Sequence, residues 1–290
     1  MTGPDGACTA IESGRELQAA CPLCRSALFR AYVQRPKVLW VRCECGLIYK
    51  KWTAEPAGTR AAFDPLNTTY ARRWRRRVAK SRHQIRDVLN HVPAGPALDV
   101  GCSLGYTLQA ARALGMCATG LEYDPDIVAF CRSRGFQVEV GTMTAMPFAA
   151  DSFQLVVMKH VLEHTGAPRA ALREVRRTLR PGGGLFIAVP HAGYGKAQRA
   201  PATSRFYKYS DPDTGHAIYY TPATLARLVG EEGFDVVRIH PHLVHRRVPL
   251  PLKLAQVATF PLRWVVERLR DMLHIRKEFW LVAVKSDRGS

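Results

Sequence analysis

The chain has 290 residues, 47% of them hydrophobic and 23% charged, with a formal net charge of +18. That length holds one full α/β domain plus a smaller module, and the composition is that of a globular protein able to bury a core. No run of 18 or more apolar residues appears, which excludes a membrane-spanning helix, and the first residues lack the basic start and apolar stretch of a secretory signal, so a cytoplasmic location is expected.

In chain order, residues 1–17 read as a disordered tail. Residues 18–52 follow as a small cysteine-bearing module. Cys21-Pro22-Leu23-Cys24 and Cys43-Glu44-Cys45-Gly46 are separated by eighteen residues. Two such knuckles supply four thiolates, the donor set of a closed tetrahedral zinc site, and metal would replace the core that so short a module cannot build. Reduced, buried cysteines are the plainer alternative. Residues 53–93 read as a basic connector whose second half, Tyr70 to His91, is helical because Val78, Ile85, Val88 and Leu89 recur at helical spacing. Residues 60–91 hold nine Arg or Lys against two Asp, and residues 238–278 nine against three acids. Such fields suit an anionic partner, whether RNA, an acidic lipid surface or an anionic substrate, and are equally compatible with solvated faces.

From residue 94 the pattern alternates between short apolar runs and helical segments. ALDVG, CATGLE, FQVEVG, FQLVVMKH and LFIAVP read as strands, separated by helices at TLQAARALG, DIVAFCRSRG and Pro168–Leu179, the last ended by Pro181-Gly182-Gly183-Gly184. Thr221-Pro222 is an N-cap with proline at the first helical position, and FDVVRIH and FWLVAVK supply two last strands. This alternation predicts an α/β fold with a largely parallel sheet covered on both faces. Residues 191–220 and 242–277 interrupt it and read as substrate-covering insertions. Within the second, Val248 to Leu273 is apolar with interspersed arginines, a pattern shared by a lid, a helix lying at a membrane surface and a core helix with snorkelling arginines.

The chemistry is expected at Asp99-Val100-Gly101-Cys102-Ser103-Leu104-Gly105. A strand, a glycine-rich turn and a helix put backbone N–H groups beside a polar ligand, and an acid at the end of the next strand, Glu122, stands 21 residues beyond Gly101, where it can accept both ribose hydroxyls. The same letters fit G-x-S-x-G, the elbow of α/β hydrolases, but here the serine follows the first strand of the sheet and no HGGG-like segment precedes it. A dinucleotide loop would want G-x-G-x-x-G, and Ser103 and Tyr106 break that pattern.

The linked run LDVGCSLG…ATGLEYDP…GTMTAMPFAADSFQLVVMKHVLEH…LREVRRTLRPGGGLFIAVP resembles the class I S-adenosylmethionine-dependent methyltransferases of the UbiE/UbiG-like, type 11/23 superfamily, over roughly residues 95–240. The resemblance implies a Rossmann-like seven-stranded sheet, to which the small N-terminal zinc-binding module is added. It assigns Asp99, Gly101, Ser103 and Gly105 to the methionine part of the cofactor, Glu122 to the ribose and Tyr123 to the adenine. Thr142 and Met143 stand where the family has an acid and a small residue beside the adenine. Lys159 and His160 end the fourth strand, facing sulfonium and substrate.

Methyl transfer is an in-line displacement in which the protein chiefly aligns the partners and excludes water. For a hydroxyl acceptor a base is needed; His160, His164, His191 and His216 are the candidates, and His191 or His160 is preferred for its place at a strand's carboxyl end. The expected acceptor is a small or lipid-like metabolite. A zinc-hooked RNA methyltransferase and a non-catalytic zinc-bearing interaction protein are the alternatives.

Overall fold

The computed structural model describes residues 15–16, 18–35, 38–53, 68–192, 215–243 and 276–286. The expected insertions lie largely beyond these residues, as does the apolar segment 248–273. Strands β5 (Ala97–Val100), β6 (Ala118–Glu122), β7 (Gln137–Val140), β8 (Phe153–Lys159), β9 (Leu179–Pro190), β11 (Phe234–Leu243) and β12 (Arg276–Lys285) form one seven-stranded sheet in the order β11-β12-β9-β8-β5-β6-β7. All are parallel except β12, which is antiparallel to both neighbours. β5 and β8 are buried along nearly their whole length, as central parallel strands must be. The chain leaves β5 toward β6 and β7, then returns to β8 on the other side. That reversal opens the crevice beyond the carboxyl ends of β5 and β8, where open α/β sheets bind ligands.

Helices α2 (Tyr106–Arg112), α3 (Pro125–Ser133), α4 (Pro168–Thr178) and α5 (Pro222–Glu231) follow β5, β6, β8 and the first insertion. Asp124 caps α3 by accepting from the amide of Asp126 at 2.9 Å, and Thr221 with Thr224 forms a capping box on α5. β9 begins at Leu179, so the Pro181–Gly184 run expected to end α4 is already strand. Gly184 lets it pass under α1, for a Cβ there would meet Val88 and Val92 at 2.9 Å.

α1 (Thr68–Leu89) lies in the second half of the segment read as a basic connector over 53–93, where Tyr70 to His91 is expected to be helical. Its Arg73, Arg75, Arg76, Arg82 and Arg86 are exposed while Ile85 and Val88 are buried with Phe186, Trp280 and Val282 of the sheet. Its apolar stripe, not its charge, decides where it packs, because burying such side chains outweighs the solvated arginines opposite.

A second, antiparallel sheet is built from β1 (Arg15–Glu16), β2 (Phe29–Arg35), β3 (Val38–Cys43) and β4 (Ile48–Thr53), with β10 (Ile218–Tyr219) added to the edge of β4. Arg15 and Glu16, at the end of the expected tail, pair with Thr53 and Trp52. β10 joins Ile218 to Tyr49 and Tyr219 to Ile48. Cys21, Leu23, Cys43, Leu47 and Tyr49 lie in the same buried cluster as Leu172 of α4, Leu228 of α5 and Ile187 of β9. The cysteine module therefore shares a core with the large sheet. Among the described residues no helix is long and apolar enough to cross a membrane.

Candidate functional site

The loop after β5 is set by backbone geometry. Gly101 and Gly105 have φ of +66° and +82°, and Ser103, at +49°, takes the same left-handed region without glycine's freedom. A Cβ on Gly101 would stand 2.6 Å from Val161 Cγ2, and one on Gly105 would stand 2.9 Å from the Phe136 ring. Glu122 fastens the loop from behind. Its carboxylate accepts from the amide of Ser103 at 3.0 Å and from that of Tyr123 at 3.0 Å, and the side chain is buried.

Two cavities meet at Gly101. One of about 370 Å³ is bounded by Leu121, Tyr123, Thr142, Met143, Val161 and His164. The other, about 290 Å³, is bounded by Asp99, Ser103, Lys159, His160, Arg77 and Glu278. Of the residues expected to hold the cofactor, Tyr123, Thr142 and Met143 thus share the first cavity and Asp99, Ser103 and Lys159 the second. Gly105 and Glu122 stand behind the loop. His191 borders neither of these cavities; it bridges to Tyr220 and its ring meets Phe279 edge-on at 5.6 Å.

The second cavity is strongly charged. Lys159 donates to Ser81 Oγ at 2.6 Å, and burial lowers it to about 8 against the attraction of Asp99. Burial raises Asp99 to about 7, with Lys159 and the Thr107 hydrogen bond opposing. His160 has φ of +56°, and its ring lies between two carboxylates, Nε2 2.8 Å from Glu278 and Nδ1 3.4 Å from Glu163. Burial works against its charge, yet the two carboxylates prevail and lift it to about 9. Burial likewise opposes the Glu278 carboxylate, which His160 and Lys80, at 2.5 Å, hold well below the usual range. Arg77, Lys80 and Glu278 were not singled out from the sequence. The only signal for the first two was their spacing of three on α1, and Glu278 is a lone acid at the start of an apolar strand.

Cys21, Cys24, Cys43 and Cys45 converge with all Sγ atoms within 4.8 Å of one another. Cys21 and Cys45 are 3.7 Å apart and Cys24 and Cys43 3.4 Å, with no disulfide. Four thiolates about 2.3 Å from a central zinc ion would be roughly 3.8 Å apart, so the donor set fits that ion.

The sequence profile of a family described as a methyltransferase domain matches residues 70–239, which reach from α1 into β11. The chain belongs to that methyltransferase family. The demethylmenaquinone methyltransferase of Renibacterium salmoninarum is 30% identical over 127 residues, 43% of this chain and 51% of the relative. The ubiquinone biosynthesis O-methyltransferase of Xanthomonas oryzae pv. oryzae is 34% identical over 98 residues, 31% of this chain and 41% of the relative. The methyltransferase thus spans about half the length of these relatives, or less. Its fold is that of S-adenosylmethionine-dependent enzymes. A methyltransferase of that kind from Archaeoglobus fulgidus superimposes with a TM-score of 0.53 at 18% identity, covering 77% of this chain and 100% of the other. A Haloferax volcanii methyltransferase solved in complex with the Trm112 activator gives 0.54 at 18%, covering 77% and 97%.

Proposed function

We propose that the chain transfers the methyl group of S-adenosylmethionine to a small or lipid-like acceptor at the carboxyl edge of β5 and β8. The observation that carries this reading is the pair of cavities joined at Gly101, where a Cβ would fill the cradle. When bound, the cofactor supplies a methyl group activated on a sulfonium sulfur. The backbone of Asp99, Gly101, Ser103 and Gly105 would hold its methionine part, Glu122 its ribose, and Tyr123, Thr142 and Met143 its adenine. Glu122 already accepts from the amides of Ser103, Tyr123 and Asp124, and of the roughly four hydrogen bonds a carboxylate accepts it keeps about one for that task. Lys159 and the neighbouring acids would orient the reacting end. Both ring nitrogens of His160 face carboxylates, so it holds charge near the acceptor and has no free lone pair with which to take a proton. His191 borders neither described cavity, which weakens its claim as base and favours an acceptor that ionises readily. The names of the two relatives, a demethylmenaquinone methyltransferase and a ubiquinone biosynthesis O-methyltransferase, support a small acceptor. The four cysteines would hold a structural zinc ion in the 18–52 module.

A second reading rests on α1, whose Arg73, Arg75, Arg76, Arg82 and Arg86 are exposed. Such a row suits RNA, whose binding would weaken steeply with salt. The test is calorimetry with S-adenosylhomocysteine, followed by transfer of labelled methyl groups to panels of phenolic acceptors and of RNA transcripts. Donor-product binding with methylation of a small acceptor is expected. Transfer to RNA alone would overturn the leading reading, and no binding of the donor product would overturn both.

A further inference from the structure

Glu163 carries a feature that methyl transfer leaves unused. It lies in the 3-10 turn Leu162–His164 after β8, is 0% exposed, and neither carboxylate oxygen has a hydrogen-bond partner. Among the described residues its carboxylate has one ion pair, at 3.4 Å to His160, whose charge it shares with the nearer Glu278. A buried carboxylate left so exposed to desolvation calls for a cation or a donor. Two imidazoles face it. His164 and His216 each offer a ring nitrogen, and these atoms and a Glu163 oxygen all lie within 4.8 Å of one another. The two rings meet edge-on at 4.8 Å between centroids.

The arrangement has the support that ligating histidines need. His164 Nδ1 lies 3.1 Å from the carbonyl oxygen of Gly215. A carbonyl only accepts, so Nδ1 must donate, and the Nε2 lone pair is left free, the usual outer partner of a metal-bound histidine. His216 Nδ1 is buried with no hydrogen-bond partner among the described residues. The segment that carries His216, just before β10, is pinned to the turn by the amide of Ala217, which donates to the Glu163 carbonyl at 2.7 Å. An ion about 2.1 Å from each ligand would draw them to roughly 3–3.5 Å of one another, a closure within the reach of side-chain rotation at the exposed His164.

We propose that Glu163, His164 and His216 form a binding site for a divalent first-row transition ion, open toward the larger cavity. Two imidazoles and one carboxylate suit zinc, manganese, iron or cobalt; calcium and magnesium prefer all-oxygen ligands. Three protein ligands leave coordination positions for water or for an oxygen of whatever fills the cavity that His164 borders. The four-cysteine site differs on both counts, being all sulfur and closed.

Manganese separates the two sites, because it favours oxygen and nitrogen over thiolate. The full chain carrying a single equivalent of zinc, which the four thiolates take first, is titrated with Mn²⁺, and the free ion is followed by electron paramagnetic resonance. One Mn²⁺ should bind per chain. Affinity should fall by roughly tenfold or more in Glu163→Gln, His164→Gln and His216→Gln, and stay unchanged in His91→Gln, an exposed histidine at the end of α1. Should Glu163→Gln fail to fold, the two histidine variants, checked by thermal melting, carry the result. No uptake of Mn²⁺ or Co²⁺ beyond the cysteine-bound ion, or uptake that all three variants leave intact, overturns the site.

Discussion

Gly101→Ala tests how the cofactor loop is built. At φ +66° an alanine is strained by about 1–2 kcal/mol, the cost of left-handed backbone for a residue with a Cβ. The added methyl would also stand 2.6 Å from Val161 Cγ2, roughly 1 Å inside normal carbon contact. Relieving that overlap by turning Val161 or lifting the loop costs about 1–3 kcal/mol more. The sum, about 2–5 kcal/mol, corresponds to a melting temperature lower by roughly 5–15 °C for a domain of this size. Both cavities border Gly101, so binding of S-adenosylhomocysteine should weaken as well. Adding Val161→Ala removes the overlap and leaves the backbone strain, so the double variant should regain about 1–3 kcal/mol relative to the sum of the singles. Melting scans and calorimetry on the four proteins make the measurement. If Gly101→Ala melts with the parent and binds the donor product equally well, the loop is not held as argued.

Ile85→Ala on α1 should cost about 2–5 kcal/mol in urea unfolding; a negligible loss would return α1 to a connector. Glu122→Gln gives up a charged acceptor for three backbone amides and should lose about 1.5–3 kcal/mol, with weaker donor binding measured in parallel. Asp99 is raised by burial to about 7, so its contribution is fully present below about pH 4 and is lost as pH rises through 7. Asp99→Asn should therefore gain on the parent across that window in melts run from pH 4 to 8, and a constant difference would contradict the reading. The parent should carry one equivalent of zinc by atomic emission, and Cys43→Ser should abolish it. It should also lower a single unfolding transition, since the module shares the sheet's core; two separate transitions would refute that sharing.

The sheet was legible because β5, β8, β9 and β12 are apolar runs whose neighbours in sequence supply their cover. Thr221-Pro222 and the Gly101–Gly105 turn were equally plain, since each encodes a backbone geometry in a few adjacent residues. Long-range pairings left no such mark. β10 is two residues long and is a strand only because β4, nearly 170 positions earlier, offers it an open edge. The arginines of α1 mark its outer face and Val78, Ile85 and Val88 its inner one, but their spacing does not say which strands the inner face packs on. His160 was legible as a candidate by its place at the end of β8. Its two carboxylates were not, for Glu278 comes from another strand and turns a candidate base into a bound cation.

That last contact follows from the one antiparallel strand of the large sheet. In a parallel α/β sheet only carboxyl ends reach the ligand crevice, and loops there supply the chemistry. β12 runs the other way between β9 and β11, so its amino end arrives at the same edge, with Glu278 opposite Pro190 at the end of β9. α1, packed across the same face, brings Lys80 to within 2.5 Å of Glu278. The wall of the second cavity is thus made by elements from both ends of the chain, closing on Asp99 and Lys159 from its middle. Opposite charges interleave there, so each carboxylate has a cation beside it, and burial is tolerated that no single one of them would withstand. On the proposed reading, the same interleaving would give the acceptor both a positive neighbour and a fixed orientation, which is the help that an in-line methyl transfer requires.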